Sequence, residues 1–339
     1  YNPRPESRFW QNRDYSRAIS SAPPAFIATG WHDIMLETSL RDFEALVRTH
    51  GSGHSRLLVG PWHHLESICS FSVFRLLLRT SIDFLKEKTG LSAPQHHKDC
   101  IPVRVWVMGA NAWQGAWRDF STWPPQEAQE VLMVLGGDGT LDGLSKPAAG
   151  LTNGTLQSSF LTYDPRNPTP SVGGSSFNLL FPSLAGEKRQ DSLEVRRDIL
   201  RFDSQTLAHD MTIIGRVHLR VAIRTSRPHF DLCARLCDVH PSGRSYNVCD
   251  AVFRRHEPLE SSRSDQQMCG PKLEALQKPL LMGELSEKIV TLDLTFSATA
   301  KCFQTGHRIR LLLCGGTLPE RARNFGDMEQ TVDNEPLEV

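Results

Sequence analysis

AFIATGWHDIMLE runs from Ala25 to Glu37, and SRLLVGPWHH from Ser55 to His64. Each climbs through a short strand-like apolar run into a glycine and an aromatic. Each then ends on residue types that carry chemistry: Trp31-His32-Asp33 in the first, Trp62-His63-His64 in the second. Between them, Leu36, Leu40, Phe43 and Val47 recur at the three-and-four spacing of one helical face. Gly51-Ser52-Gly53 ends that helix. Downstream, Phe74, Leu78, Ile82 and Leu85 predict a second helix, closed by Lys86, Lys88 and Gly90. Strand, helix, strand, helix is the grammar of a parallel sheet in an α/β fold.

Further along, the period changes from helical to alternating. Val103, Val105 and Val107 alternate with Arg104 and Trp106, and Val131–Leu135 reads as another strand. Val217, Leu219, Val221 and Ile223 repeat the alternation, as do Val290, Leu292, Leu294 and Phe296, and then Ile309, Leu311 and Leu313. Turn-rich stretches such as DPRNPTPSVGG (Asp164–Gly174) separate them. From about Ile101 onward this predicts an all-β sandwich or jelly roll. The division is residues 1–100 as α/β and 101–339 as β, with Lys272–Glu287 a polar loop or short helix. At 339 residues the chain is long enough for two such domains.

Lys plus Arg equals Asp plus Glu at 38 each, so no basic field points to nucleic acid or a membrane surface. The apolar run at Phe71–Leu78 is interrupted by Arg75 and is far too short to span a bilayer. Eight cysteines without a CxxC argue for reduced thiols and a cytoplasmic setting. Asn153-Gly154-Thr155 is a formal sequon of the kind that arises by chance, and no signal peptide is visible. Nothing selects an oligomeric state.

In a parallel α/β sheet, ligands meet the chain beyond the carboxyl ends of the strands. An Asp after one strand and a His after a later one is the chain order of the last two members of a Ser-Asp-His triad in α/β-hydrolases. The Asp would orient the imidazole and stabilise its charged form, while the His would take a proton from a nucleophilic hydroxyl. Asp33 also suits a helix N-cap, standing before Ile34, and His63 and His64 also suit a plain loop pair.

PPAFIATGWHDIM followed by SRLLVGPWHH resembles the Xaa-Pro dipeptidyl-peptidase-like serine hydrolases, the group with cocaine esterase and α-amino acid ester hydrolases. The likeness continues through IPVRVWVMGANAW, STWPP, YDPRNPTPSVGG, RRDILRFDSQTL and FDLCARLCDVHPSGRSYNVCDAVFR, and closes with GHRIRLLLCGG and Arg323-Asn324. It implies an α/β-hydrolase remnant whose parallel sheet ends near residue 100. A jelly-roll, galactose-binding-like sandwich would then pack beside the active site. It puts the catalytic Asp on Asp33, in G-W-x-D, and the catalytic His on His64, ending G-P-W-x-H. His63 then takes the variable position, and His32 one often held by Tyr. Substrates would be Xaa-Pro peptides or small acyl and amino acid esters, with no cofactor. Trp31 and Trp62 are candidate walls of an acyl pocket, with core packing the competing reading.

The nucleophile of that family lies in G-x-S-x-G upstream of the Asp strand. GSGHS (Gly51–Ser55), GGSS (Gly173–Ser176) and PSGRS (Pro241–Ser245) all fail the pattern. The chain opens on Tyr1 with only a short lead-in before the Asp strand. The expectation is therefore a C-terminal portion of a larger hydrolase, inactive alone, with a sheet edge and an apolar face uncovered. The alternative is a pseudoenzyme or a jelly-roll binding module.

Other clusters carry less. His50 and His54 are four apart, but Gly51 and Gly53 lie between them, so no metal is assigned. QHHKDC (Gln95–Cys100) reads as a solvated linker. Cys233 and Cys237 share a strand face about 13 Å apart, too far to bridge each other. Arg308 and Arg310 read as a solvent face or as partners of carboxylates.

Overall fold

The computed structural model describes residues 8–12, 14, 16–91, 101–143, 158–176, 184–227, 229–255 and 289–326. The sequon at Asn153, the segment 95–100 and the stretch 272–287 lie outside them. A short helix α1 (Arg8–Gln11) and a 3-10 turn (Ser16–Ser21) lead into β1 (Phe26–His32). Then come α2 (Leu36–His50), β2 (Arg56–His63), α3 (His64–Cys69) and α4 (Phe71–Lys88). β1 and β2 pair in parallel, from Phe26 opposite Arg56 to Gly30 opposite Gly60. α2 buries Leu36, Leu40, Phe43 and Leu46, and the first three share a core with Leu57 and Val59 on one face of the sheet. On the other face, Val73 of α4 packs with Leu58 and Trp62, joined by Leu76 and Leu77.

The apolar stripe predicted for the second helix turns outward instead. Phe74, Leu78, Ile82 and Leu85 are exposed, and Phe71 beside them is 79% exposed. α4 is apolar on two sides, so helical spacing alone could not select the one that meets the sheet.

Nor does the parallel sheet end near residue 100. β3 (Val103–Asn111) extends it parallel to β2, with Leu57 opposite Val103, and β4 (Gln114–Phe120) folds back on β3. Val103, Val105 and Val107 bury in the same core as Leu57 and Val59, which is the apolar continuity that carries the sheet on.

The remaining elements are β5 (Met133–Leu135), β6 (Thr140–Gly143), α5 (Asp191–Glu194), β7 (Ile199–Ser204), β8 (Met211–Gly215) and β9 (His218–Ile223), then β10 (Phe230–Val239), β11 (Ser245–Arg255), β12 (Val290–Thr295), β13 (Thr299–Phe303) and β14 (Arg308–Cys314). β13 and β8 complete the first sheet in the order β1-β2-β3-β13-β8. A second sheet runs β11-β10-β14-β7-β6-β5, and β9 pairs with β12 as a separate ribbon. Leu219, Leu292 and Leu294 of the ribbon share a core with Leu232, Leu236, Ile309, Leu311 and Leu313 of the second sheet. The molecule is a partial α/β sheet followed by a β-sandwich, and the two are interleaved through β8 and β13.

Candidate active site

Two glycines decide how the strands end. Gly30 and Gly60 stand opposite each other in the parallel register. A Cβ on Gly30 would lie 2.0 Å from the Trp62 carbonyl oxygen, and one on Gly60 would lie 1.9 Å from the Trp62 ring. Only glycine lets the ring fold back across the sheet here. The register slips between Gly30 and His32, so that His32 stands opposite His63. Pro61, which has no N–H to donate, falls at this irregularity in an inner strand.

The slip brings the two strand ends together. His64 opens α3, and its Nδ1 lies 2.9 Å from Asp33 Oδ1. A carboxylate only accepts, so Nδ1 carries the proton and Nε2 is left as the basic nitrogen. Asp33 is 7% exposed, and its Oδ1 also accepts the Met35 N–H at 2.8 Å. Asp33 thus ties His64 to the turn that precedes α2, but the helix N-cap expected of it falls on Met35, which makes no side-chain cap bond. The side chain of His64 keeps 28% of its exposure, so one edge of the ring faces out of the fold.

The flanking histidines are placed differently. His32 is buried with Nε2 unpartnered, and burial pushes its pKa down to about 4. Asp250 opposes that shift, while His63, Lys301 and Lys188 add to it. His63 is also buried, with Nδ1 unpartnered, and burial again lowers its pKa against the opposing pull of Glu66. Glu66 accepts the His63 backbone N–H at 3.1 Å and closes the start of α3. Neither His32 nor His63 bonds Asp33 among the described contacts. Sequence reasoning missed Gly186, which sits against His63: a Cβ there would lie 3.7 Å from the ring. No local signal marks a contact between residues so far apart in the chain.

Trp31 and Trp62, read as candidate pocket walls, are core residues at 3% and 1% exposure. Trp31 donates Nε1–H to the Trp106 carbonyl at 2.7 Å and lies 5.8 Å from the Trp123 ring. Trp62 packs on the opposite sheet face, 6.3 Å from the Trp117 ring. The strand-end position that suggested a cleft instead feeds two apolar cores. A cleft of about 860 Å³ does open elsewhere, lined by Gln114, Phe120, Thr212 and Ile214 among others, and it includes neither Asp33 nor His64.

The His50 and His54 rings stack at 4.3 Å, with His50 Nε2 2.8 Å from the Ile19 carbonyl and His54 Nδ1 3.0 Å from Ser55 Oγ. Among the described residues, Asp238, His240 and His307 bring three ligand-type atoms together. The Asp238 carboxylate is already engaged there, by His307 Nδ1 at 2.8 Å and by the Lys301 ammonium at 3.0 Å. A dication would face that ammonium, so the cluster suits an ion-pair network better than a metal. Arg310, read as a solvent-face residue or a partner of carboxylates, is the latter and is buried at 4% exposure. It forks onto Asp203 at 2.5 Å and Glu194 at 2.6 Å. No described helix is long and apolar enough to cross a membrane.

Comparison with known proteins agrees with this layout. The profile of the X-Pro dipeptidyl-peptidase C-terminal non-catalytic domain matches residues 96–337, and that of the X-Pro dipeptidyl-peptidase S15 family matches residues 2–66. Cocaine esterase of Rhodococcus sp. (strain MB1 Bresler) is 28% identical over 93% of this chain and 52% of its own length. An α-amino acid ester hydrolase superposes with TM-score 0.71 at 20% identity, over 96% of this chain and 53% of that one. An aminopeptidase from a marine sediment Thaumarchaeota archaeon gives 0.69 at 20% identity, over 95% and 52%. At that identity the two structures speak for the fold alone. The chain spans about half the length of the relatives it matches. With the partial α/β sheet, the β-sandwich and a profile match over most of its residues, the chain belongs to the X-Pro dipeptidyl-peptidase-like hydrolase family.

Proposed function

We propose that Asp33 and His64 are the acid and base of a serine-hydrolase triad whose nucleophile lies outside these 339 residues. The observation that carries the reading is the 2.9 Å contact between His64 Nδ1 and Asp33 Oδ1 at adjacent strand ends. His64 Nε2 would take the proton of an incoming serine hydroxyl as that oxygen attacks an ester or amide carbonyl, and would return it to the leaving group. Asp33, held by the Met35 N–H, keeps the imidazole in the required tautomer and stabilises its charged form. Water then hydrolyses the acyl-enzyme. The substrate class is a small acyl or amino acid ester or an Xaa-Pro peptide, as the names of the relatives suggest. No G-x-S-x-G occurs in the sequence, so this chain alone is expected to show no ester turnover.

Labelling with a fluorophosphonate probe, read by intact mass, tests the proposal. The longest product of the source transcript should gain one adduct, this chain none, and His64→Ala should abolish the adduct. Asp33→Asn should lower turnover of the longer form by about four orders of magnitude, by favouring the wrong tautomer. In this chain alone, Asp33→Asn should remove the far-downfield proton NMR signal of a carboxylate-held Nδ1–H. A longer form that stays unlabelled would sink the triad and leave a non-catalytic binding module.

A further inference from the structure

The second sheet holds a pair of thiols that hydrolysis does not use. On β10 and β14, neighbouring antiparallel strands, Cys233 stands directly opposite Cys314. Residues so paired have Cα atoms about 4.5–5.5 Å apart, inside the window a disulfide spans. Each thiol perturbs the acidity of the other, as near neighbours do. Cys314 donates its S–H to the Gly316 carbonyl at 3.2 Å. The other described cysteines have no such neighbour. Cys237 stands opposite Arg310 and Asn247, Cys249 opposite Leu236, and Cys302 opposite Thr212. Cys69 is exposed on the end of α3.

The surroundings separate the roles of the two sulfurs. Cys233 is buried at 6% exposure, while Cys314 is only partly buried. The neighbouring Cys233 holds the Cys314 thiol below the usual range, and the Arg235 guanidinium adds to this. The Cys233 thiol is raised, first by Cys314 and then by burial. Both line a cavity of about 30 Å³, with Arg235, Thr317 and Glu320 among its other walls. That is room for about one water. Gly315 and Gly316 lie against Tyr163, where a Cβ on either would come within 2.7 Å of the ring.

We propose that Cys233 and Cys314 are a modification site: a cross-strand dithiol that closes to a disulfide on reaction with a low-molecular-weight disulfide. The Cys314 thiolate attacks one sulfur of the small disulfide, whose S–S bond breaks and releases one thiolate. Cys233 gives up its proton and attacks the Cys314 sulfur of the mixed disulfide, releasing the second thiolate. The protein loses two electrons and two protons, and the small disulfide is reduced to two thiols. The product clips β10 to β14 and closes a loop that holds β11, β12 and β13.

Treating the reduced chain with 2-hydroxyethyl disulfide tests this, with intact mass and a non-reducing peptide map as readouts. The expected result is a loss of two hydrogen masses and a cross-link joining the peptides of Cys233 and Cys314. Closing a loop of this length should also raise the melting temperature by roughly 3–10 °C. Cys233→Ser and Cys314→Ser should each abolish the mass loss, while Cys69 still takes its adduct. The wild-type map needs no variant, so a poorly folding serine variant leaves the test intact. Adducts at Cys69 alone, a stable mixed disulfide at Cys314 without closure, or a cross-link between other cysteines would overturn the proposal.

Discussion

Asp33 holds two neighbours with one oxygen. Its Oδ1 accepts the Met35 N–H, bracing the turn before α2, and the His64 Nδ1–H. The neighbouring His32 makes a separate prediction. Its pKa falls from 6.5 to about 4 because burial disfavours the cation. The unfolded chain then binds a proton at a pH where the folded one does not. The stability contributed by the neutral ring is complete above about pH 6.5 and is lost as pH falls toward 4. The loss should reach roughly 3 kcal/mol. Denaturant melts across that window should show the drop, and His32→Gln should flatten it. A wild-type curve flat from pH 7 to 4 would contradict the assignment. That Asp33 and His64 would lie at neighbouring strand ends was legible, because G-W-x-D and G-P-W-x-H each follow a strand-like apolar run. The choice between pocket wall and core for Trp31 and Trp62 was not, since it depends on Trp106 of β3, Trp117 of β4 and Trp123 just beyond β4.

At the scale of elements, α4 and β1 stand out. Phe71, Phe74, Leu78, Ile82 and Leu85 form an exposed apolar stripe along α4. Among the described residues β1 is a sheet edge, paired on one side only. Such a stripe and edge should bind a hydrophobic dye and promote self-association. Replacing Phe74 and Leu78 together, by Glu and Lys, should remove most of the dye signal. Because both already face water, each change should alter stability by less than about 0.5 kcal/mol. A sharp melt with no dye bound by the wild-type chain would refute the exposed stripe. The existence of this helix was legible from its spacing. Its orientation was not, because Val73, Leu76, Leu77 and Phe84 offer the sheet a second apolar side.

At the scale of the whole molecule, one buried cation joins the two sheets. Lys301, on β13 of the first sheet, is 1% exposed. It reaches Asp238 on β10 of the second at 3.0 Å, the Gly109 carbonyl of β3 at 2.6 Å and Glu187 at 3.7 Å. Burial raises the Glu187 carboxyl, with Lys301 pulling the other way. Lys301→Met should leave Asp238 buried and short of its partner, at a cost of about 3–5 kcal/mol. Adding Asp238→Asn should recover part of that loss, since an amide oxygen can still accept from His307. Urea melts of the two single variants and the double one measure the coupling. Additive losses would mean that the ion pair does not join the sheets.

By itself the sequence determined the classes of structure and their order. Helical spacing and then two-residue alternation follow from which side chains must leave water, and that pattern is written locally. The strand-end motifs likewise put Asp33 and His64 where two adjacent strands end. Tertiary structure alone decided where one sheet stops and the next begins. β13 and β8 cross into the first sheet because Ala298 and Ala300 fit the core beside Val105 and Met108, a match between segments nearly 200 residues apart. The same kind of distant pairing set Lys301 against Asp238 and Cys233 against Cys314. Local periodicity carries no information about such pairings, because strand order is settled by packing between segments rather than within them.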